Sequence, residues 1–172
     1  DLDIHYIDNP LYKTTNNIYS LYLMREDAEG QDVILLDSDI LFDPAIPARL
    51  LNDPAPDTLA LNNHVLGEEE IKVVLDAEQR VKEISKTCNI GEAAGESIGI
   101  EKMSAAYTAA LYPEMEQMIE HERLSNVFYE LAFERLISRG YRFSVTDVSD
   151  LFAVELDTVE DFKDAVENFQ KQ

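Results

Sequence analysis

Positive charge is what this sequence has least of: 14 Lys and Arg stand against 35 Asp and Glu, a formal net charge of −21. Phosphate backbones are held by clustered Lys and Arg, so the deficit argues against a nucleic-acid partner. An anionic membrane surface is disfavoured for the same reason. No apolar run approaches the ~20 residues of a membrane span, and the first residues show no basic, apolar leader pattern. The single cysteine, Cys88, excludes an intrachain disulfide framework and predicts a reducing, cytoplasmic setting. His5, His64 and His121 have no metal-ligand spacing, which disfavours zinc. There is no G-x-S-x-G and no Cys–His arrangement, so acyl transfer is unsupported. A Gly-rich phosphate loop is also missing, a gap for any enzyme that handles nucleotides.

What is present suits a folded domain. Of 172 residues, 45% are apolar, enough for a sizeable core. With no repeat and no Pro/Gly/Ser linker, residues 1–172 read as one domain. Thr14-Thr15-Asn16-Asn17 is a cluster of N-cap residues ahead of Ile18, Leu21, Tyr22 and Arg25 at helical spacing, with Gly30 as the stop. Val33-Ile34-Leu35-Leu36 is a short continuous apolar run, the pattern of a strand buried on both faces. A short helix over 45–51 and a strand over 58–61 follow. Residues 71–75 and 80–85 flank Asp76-Ala77-Glu78-Gln79 as a β-hairpin. Residues 97–103 form a further strand. Ser104 caps a helix expected to break or restart at Pro113. Residues 125–139 read as an amphipathic helix with Val127, Leu131 and Leu136 on its stripe. Strands over 142–146 and 152–156 precede a final helix over 158–169. Strands alternating with helices predict an α/β fold, with a mixed, mostly parallel sheet flanked by helices.

Three places could carry chemistry. Asp37-Ser38-Asp39 sits where a strand ends, the edge at which α/β sheets bind ligands. Its carboxylates suit a hard divalent cation, although a polar turn would look the same. Asp157 and Glu160 form a capping box for the last helix, and a capping carboxylate can still offer an oxygen to a metal. Lys86, at the end of a strand, is one of the few cations available to a phosphate group.

In this order the pieces resemble the nucleotidyltransferases that activate phosphorylated sugars and alcohols, a Rossmann-like nucleotide-diphospho-sugar transferase fold. The resemblance is strongest to the bacterial choline-phosphate and 2-aminoethylphosphonate cytidylyltransferases. The matching strings are Asn9-Pro10-Leu11-Tyr12 with Asn16-Asn17-Ile18-Tyr19-Ser20, Val33 through Asp39, and Val81-Lys82-Glu83-Ile84-Ser85-Lys86. Gly95-Glu96-Ser97-Ile98-Gly99-Ile100, Tyr129-Glu130 and Val154 through Phe162 complete the set. The family's opening Gly-rich loop, with its Arg and Pro-Lys, has no counterpart, and the resemblance implies that some N-terminal residues are missing here. An incomplete sheet of that kind predicts self-association through its open edge.

The resemblance implies transfer of a nucleoside monophosphate, CMP from CTP or its counterpart from another nucleoside triphosphate, to a phosphorylated or phosphonate amino-alcohol such as phosphocholine or 2-aminoethylphosphonate, with Mg²⁺ and release of pyrophosphate. It implies Asp39 and Asp157 as ligands of one Mg²⁺, with Asp37 in support. Lys86 would meet the acceptor phosphate, and Asn17 would lie near the nucleotide. Glu96, Tyr129 and Glu130 would line the acceptor pocket. If Tyr129 and Glu130 were instead surface residues, Phe128 would pack inside. Two other readings stay open: a metal-dependent glycosyltransferase using Asp-x-Asp, and a non-catalytic binding module whose acidic strand ends are only caps.

Overall fold

The longest strand organises the sheet. In the computed structural model, which describes residues 3–156 together with 158, 159, 162, 163, 165 and 166, strand β6 (Gly95–Met103) pairs with three other strands. These are β1 (Val33–Leu36), β3 (Thr58–Asn62) and β4 (Lys72–Leu75). With β5 (Val81–Ser85) and β7 (Ser144–Asp147) the order is β5-β4-β6-β3-β7, and β1 joins at β6. β3 and β7 run parallel; β3–β6, β4–β5 and β4–β6 are antiparallel. The sheet is mixed, as expected, but the parallel share is smaller than the sequence suggested. The β4–β5 hairpin and its return into β6 are the reason, since tight turns join only antiparallel strands.

The chain forms two compact units: Asp1–Val33 with Ser104–Tyr141, and Ile34–Met103 with Arg142–Gln172. The second holds a core of Ile46, Leu50, Ala60, Ile98, Ile100 and Val148, against which Ile34, Ile40, Phe42, Leu151 and Ala153 pack. Helix α3 (Ala45–Asn52) supplies Ile46 and Leu50, four apart on one face. A separate two-stranded ladder pairs β2 (Ile40–Phe42) with β8 (Ala153–Glu155) antiparallel. β8 therefore lies outside the main sheet, contrary to the reading that put the 152–156 strand in it. β2 was not anticipated: three residues carry too little periodicity to be seen locally.

The first unit is helical. Asn16 caps α1 (Asn17–Leu23), its side chain accepting the Asn17 N–H, and a short α2 (Arg25–Ala28) follows. Ser104 caps α4 (Ala105–Glu116) by accepting the Tyr107 N–H. The expected break at Pro113 does not occur. α4 passes through it and continues as a π-helical turn, Gln117–His121. Leu111, Tyr112, Met115, Met118 and Ile119 are all buried along this stretch, and that packing outweighs the one hydrogen bond proline removes. α5 (Glu130–Ser138) starts five residues later than residue 125, and its buried stripe is Phe133, Leu136 and Ile137. Phe133 meets Tyr107 edge-on at 6.0 Å and Tyr129 at 5.2 Å. Glu114, buried, receives Arg135 at 3.2 Å and Arg139 at 2.6 Å.

β1 has the expected bounds but a different environment. Val33, Ile34 and Leu35 are only half-buried and Leu36 is exposed, so the strand is not covered on both faces. Half of the expected final helix, 158–169, lies outside the described residues, and Val159, Phe162, Lys163, Ala165 and Val166 are helical. Among those described, no helix is long and apolar enough to cross a membrane.

Candidate functional site

β1 delivers Asp37 onto β6. The Asp37 N–H donates to the Gly99 carbonyl at 2.9 Å. Gly99 has φ +68°, and a Cβ there would stand 2.5 Å from Asp37 Oδ2. Only glycine supplies both that backbone conformation and that space. Asp37 is half-buried in this seat, while Ser38 and Asp39 are exposed. The Asp39 carbonyl accepts the Leu156 N–H at 2.8 Å, extending the β2–β8 ladder by one rung. That rung sets Asp39 beside the residue that precedes Asp157 in sequence. Asp157 itself lies outside the described residues. Among the described residues no group of three or more His, Cys, Asp or Glu is placed to hold a metal ion. Mg²⁺ needs fewer, since it is commonly held by one or two carboxylates together with substrate phosphates. The carboxylates of exposed Asp39 and half-buried Asp37 are hard oxygen donors of the kind that such an ion takes.

Three residues before Gly99, β6 carries Glu96. Its Oε2 lies 2.7 Å from His64 Nε2, and the His64 Nδ1 lies 3.0 Å from the Val65 carbonyl. Burial pushes the Glu96 carboxyl above its usual range, and the hydrogen bond from His64 works against that rise. Across the β4–β6 ladder Glu96 faces Lys72. Lys72 is buried, and its Nζ donates to the carbonyls of Glu68 at 3.0 Å, Glu70 at 3.1 Å and Lys86 at 2.8 Å. One ammonium thus ties the loop before β4 to the residue after β5, and all three of its hydrogens are used. The Lys86 ammonium reaches Glu69 at 3.3 Å, a pair open to water on the Glu69 side. Such a pair is worth little and exchanges readily for a better anion.

In the helical unit the Asn17 Oδ1 accepts the Tyr129 N–H at 2.9 Å, joining the start of α1 to the start of α5. Tyr129 and Glu130 are buried, whereas Phe128 is 42% exposed. The alternative in which Phe128 packs inside and the other two face solvent is overturned. Residues 125–128 precede α5, so the helical spacing read from residue 125 does not hold there.

Sequence reasoning missed His64 and the role of Lys72. His64 lies 32 positions from Glu96, and no local pattern links them. Lys72 did leave a signal, a charge inside the apolar run Ile71-Lys72-Val73-Val74.

Three comparisons bear on this arrangement. The chain superimposes on the CTP:phosphocholine cytidylyltransferase of Streptococcus pneumoniae with a TM-score of 0.76 at 18% identity, over 94% of this chain and 67% of that one. The chain has the nucleotide-diphospho-sugar transferase fold. The inositol-1-phosphate CTP transferase of T. maritima matches with a TM-score of 0.67 at 18% identity, over 89% of this chain and 60% of that one. In sequence, the chain is 28% identical over 177 aligned positions to the CMP-5'-(3-aminopropyl)phosphonate synthase of Streptomyces rubellomurinus (strain ATCC 31215). That match takes in 95% of this chain, which spans 27% of the length of the relative. No family model matches. The resemblance to cytidylyltransferase-like nucleotidyltransferases, read first from strand-end motifs, is thus supported by both fold and sequence.

Proposed function

We propose that this chain serves a nucleotidyltransferase that moves CMP from CTP to a phosphorylated or phosphonate amino-alcohol, such as phosphocholine or 2-aminoethylphosphonate. An acceptor oxygen attacks the α-phosphorus, the new P–O bond forms, the α–β anhydride bond breaks and pyrophosphate leaves. No covalent enzyme intermediate is needed, so positioning and charge neutralisation carry the reaction. The observation that carries the reading is the strand-end pair: Asp37 seated on Gly99, with exposed Asp39 laddered to Leu156.

In this reading Asp39 and Asp157 hold one Mg²⁺, with Asp37 orienting the turn between β1 and β2. Bound there, the ion supplies positive charge between two anionic reactants. Lys86 leaves Glu69 to meet the acceptor's phosphorus-bearing end. Asn17 anchors the N-terminus of α1 near the nucleotide. Glu96 serves the acceptor head, since a carboxylate suits a desolvated cation. The lone Cys88 is consistent with work in a reducing cytoplasm.

The test is acceptor dependence. The polypeptide carrying this chain, given CTP and Mg²⁺, releases pyrophosphate with phosphocholine or 2-aminoethylphosphonate and none without an acceptor. A glycosyltransferase would release a nucleoside diphosphate from a nucleotide sugar, and a binding module would retain metal without turnover.

A further inference from the structure

His64 stands between a carbonyl and a carboxylate. A carbonyl oxygen only accepts, so the ring nitrogen 3.0 Å from Val65 O, Nδ1, carries hydrogen. A ring protonated at Nδ1 alone would aim the Nε2 lone pair at Glu96 Oε2, 2.7 Å away. Two acceptors at that distance repel, so one more proton lies between them. It makes the pair either imidazolium and carboxylate or neutral imidazole and carboxylic acid. Both descriptions are neutral overall. The other charged groups acting on Glu96 are Glu70 and Lys72, which oppose one another. The Lys72 ammonium is already committed to three carbonyls and so is not Glu96's proton donor.

We propose that the His64–Glu96 pair is a proton-linked gate for the acceptor's cationic head: the resting pair holds one proton and releases it to solvent when an ammonium group replaces the His64 ring at Glu96. The inference rests on the cationic-acceptor reading above and adds His64 to it as a specificity-determining residue. The side-chain exposures suit the exchange, His64 being 38% exposed and Glu96 13%, so the ring can swing outward while the carboxylate stays put. One cation is traded for another. Affinity for a fixed-charge head therefore rises with pH while the pair still holds its proton, by up to about tenfold per pH unit for a one-proton exchange. A head without positive charge makes no such trade.

Calorimetry of phosphocholine binding in two buffers of different ionisation enthalpy counts the protons released. Phosphocholine's quaternary charge does not titrate, and the ionisation of its phosphate is common to wild type and variants. The expected result near neutral pH is release of up to about one proton more by wild type than by His64→Gln or Glu96→Gln. The KM for phosphocholine, measured from about pH 5 to about pH 8, should fall more steeply in wild type than in His64→Gln, with the KM for CTP unchanged. Equal proton counts in all three proteins, or no binding of phosphocholine, overturn the gate. Proton release on binding without CTP turnover upholds the gate and removes the transferase reading. Turnover with equal counts does the reverse.

Discussion

Asp37 occupies the space that a side chain at Gly99 would need, with its Oδ2 2.5 Å from the position of the missing Cβ and its N–H bonded to the Gly99 carbonyl. The two residues are 62 apart in the chain and form one seat for the acidic turn. Gly99→Ala should cost about 2 kcal/mol from the positive φ alone, lowering Tm by roughly 4–8 °C. Asp37→Ala should relieve the added clash, so the double variant costs less than the sum of the singles in a thermal-unfolding cycle. Strict additivity would mean that the carboxylate does not press on Gly99.

The elements that could be read from sequence were those whose causes are local. Asp76-Ala77-Glu78-Gln79 specifies the β4–β5 hairpin through its own turn: the Asp76 carboxylate accepts the N–H groups of Glu78 and Arg80. Asn16 and Ser104 cap their helices by side chains that reach only one to three residues on. What escaped depends on distant partners. β2 exists because β8 lies against it, and β1 is half-covered because of what its neighbours leave open. Pro113 is tolerated because the residues around it are buried. In the site, the acidic turn and Glu96 were visible as motifs. The contact of His64 with Glu96, 32 positions away, left no local pattern, and Lys72 showed only as a charge within an apolar run.

Asp39 is exposed and takes part in the β2–β8 ladder through its main chain, so Asp39→Asn should leave the fold intact. Its transfer rate should drop on the order of 10²-fold or more, because a neutral amide holds a divalent cation poorly. Far-UV circular dichroism with a steady-state assay separates the two effects. An unchanged rate at saturating Mg²⁺ would remove Asp39 from the metal site.

Lys72→Met preserves the stem of the side chain but leaves the carbonyls of Glu68, Glu70 and Lys86 without their shared donor. The expected loss is about 3 kcal/mol in urea unfolding. Amide exchange should quicken in residues 66–70 and 86–88 before it does elsewhere. Uniform acceleration along the whole chain would argue that Lys72 supports the core as a whole and has no particular hold on this loop.

Glu96 titrates above the ordinary carboxylate range because burial disfavours its charged form. Between its unfolded value and its raised folded value, the unfolded chain loses this proton first. Stability contributed by the protonated group is therefore present below the unfolded value and lost as pH rises through the folded one. Glu96→Gln cannot lose that proton. Urea midpoints plotted against pH should decline less for Glu96→Gln than for wild type just above the usual carboxylate range. Parallel curves would mean that folding leaves the Glu96 proton affinity unchanged.

The proposed transfer makes a phosphorus–oxygen–phosphorus bond between CMP and a cationic acceptor. Phosphorus NMR of the reaction mixture reads that bond directly. With CTP, Mg²⁺ and phosphocholine or 2-aminoethylphosphonate, the expected spectrum shows a new asymmetric pair of coupled resonances growing in step with pyrophosphate. Unchanged CTP, or its breakdown to CDP and inorganic phosphate with the acceptor signal untouched, would contradict the account.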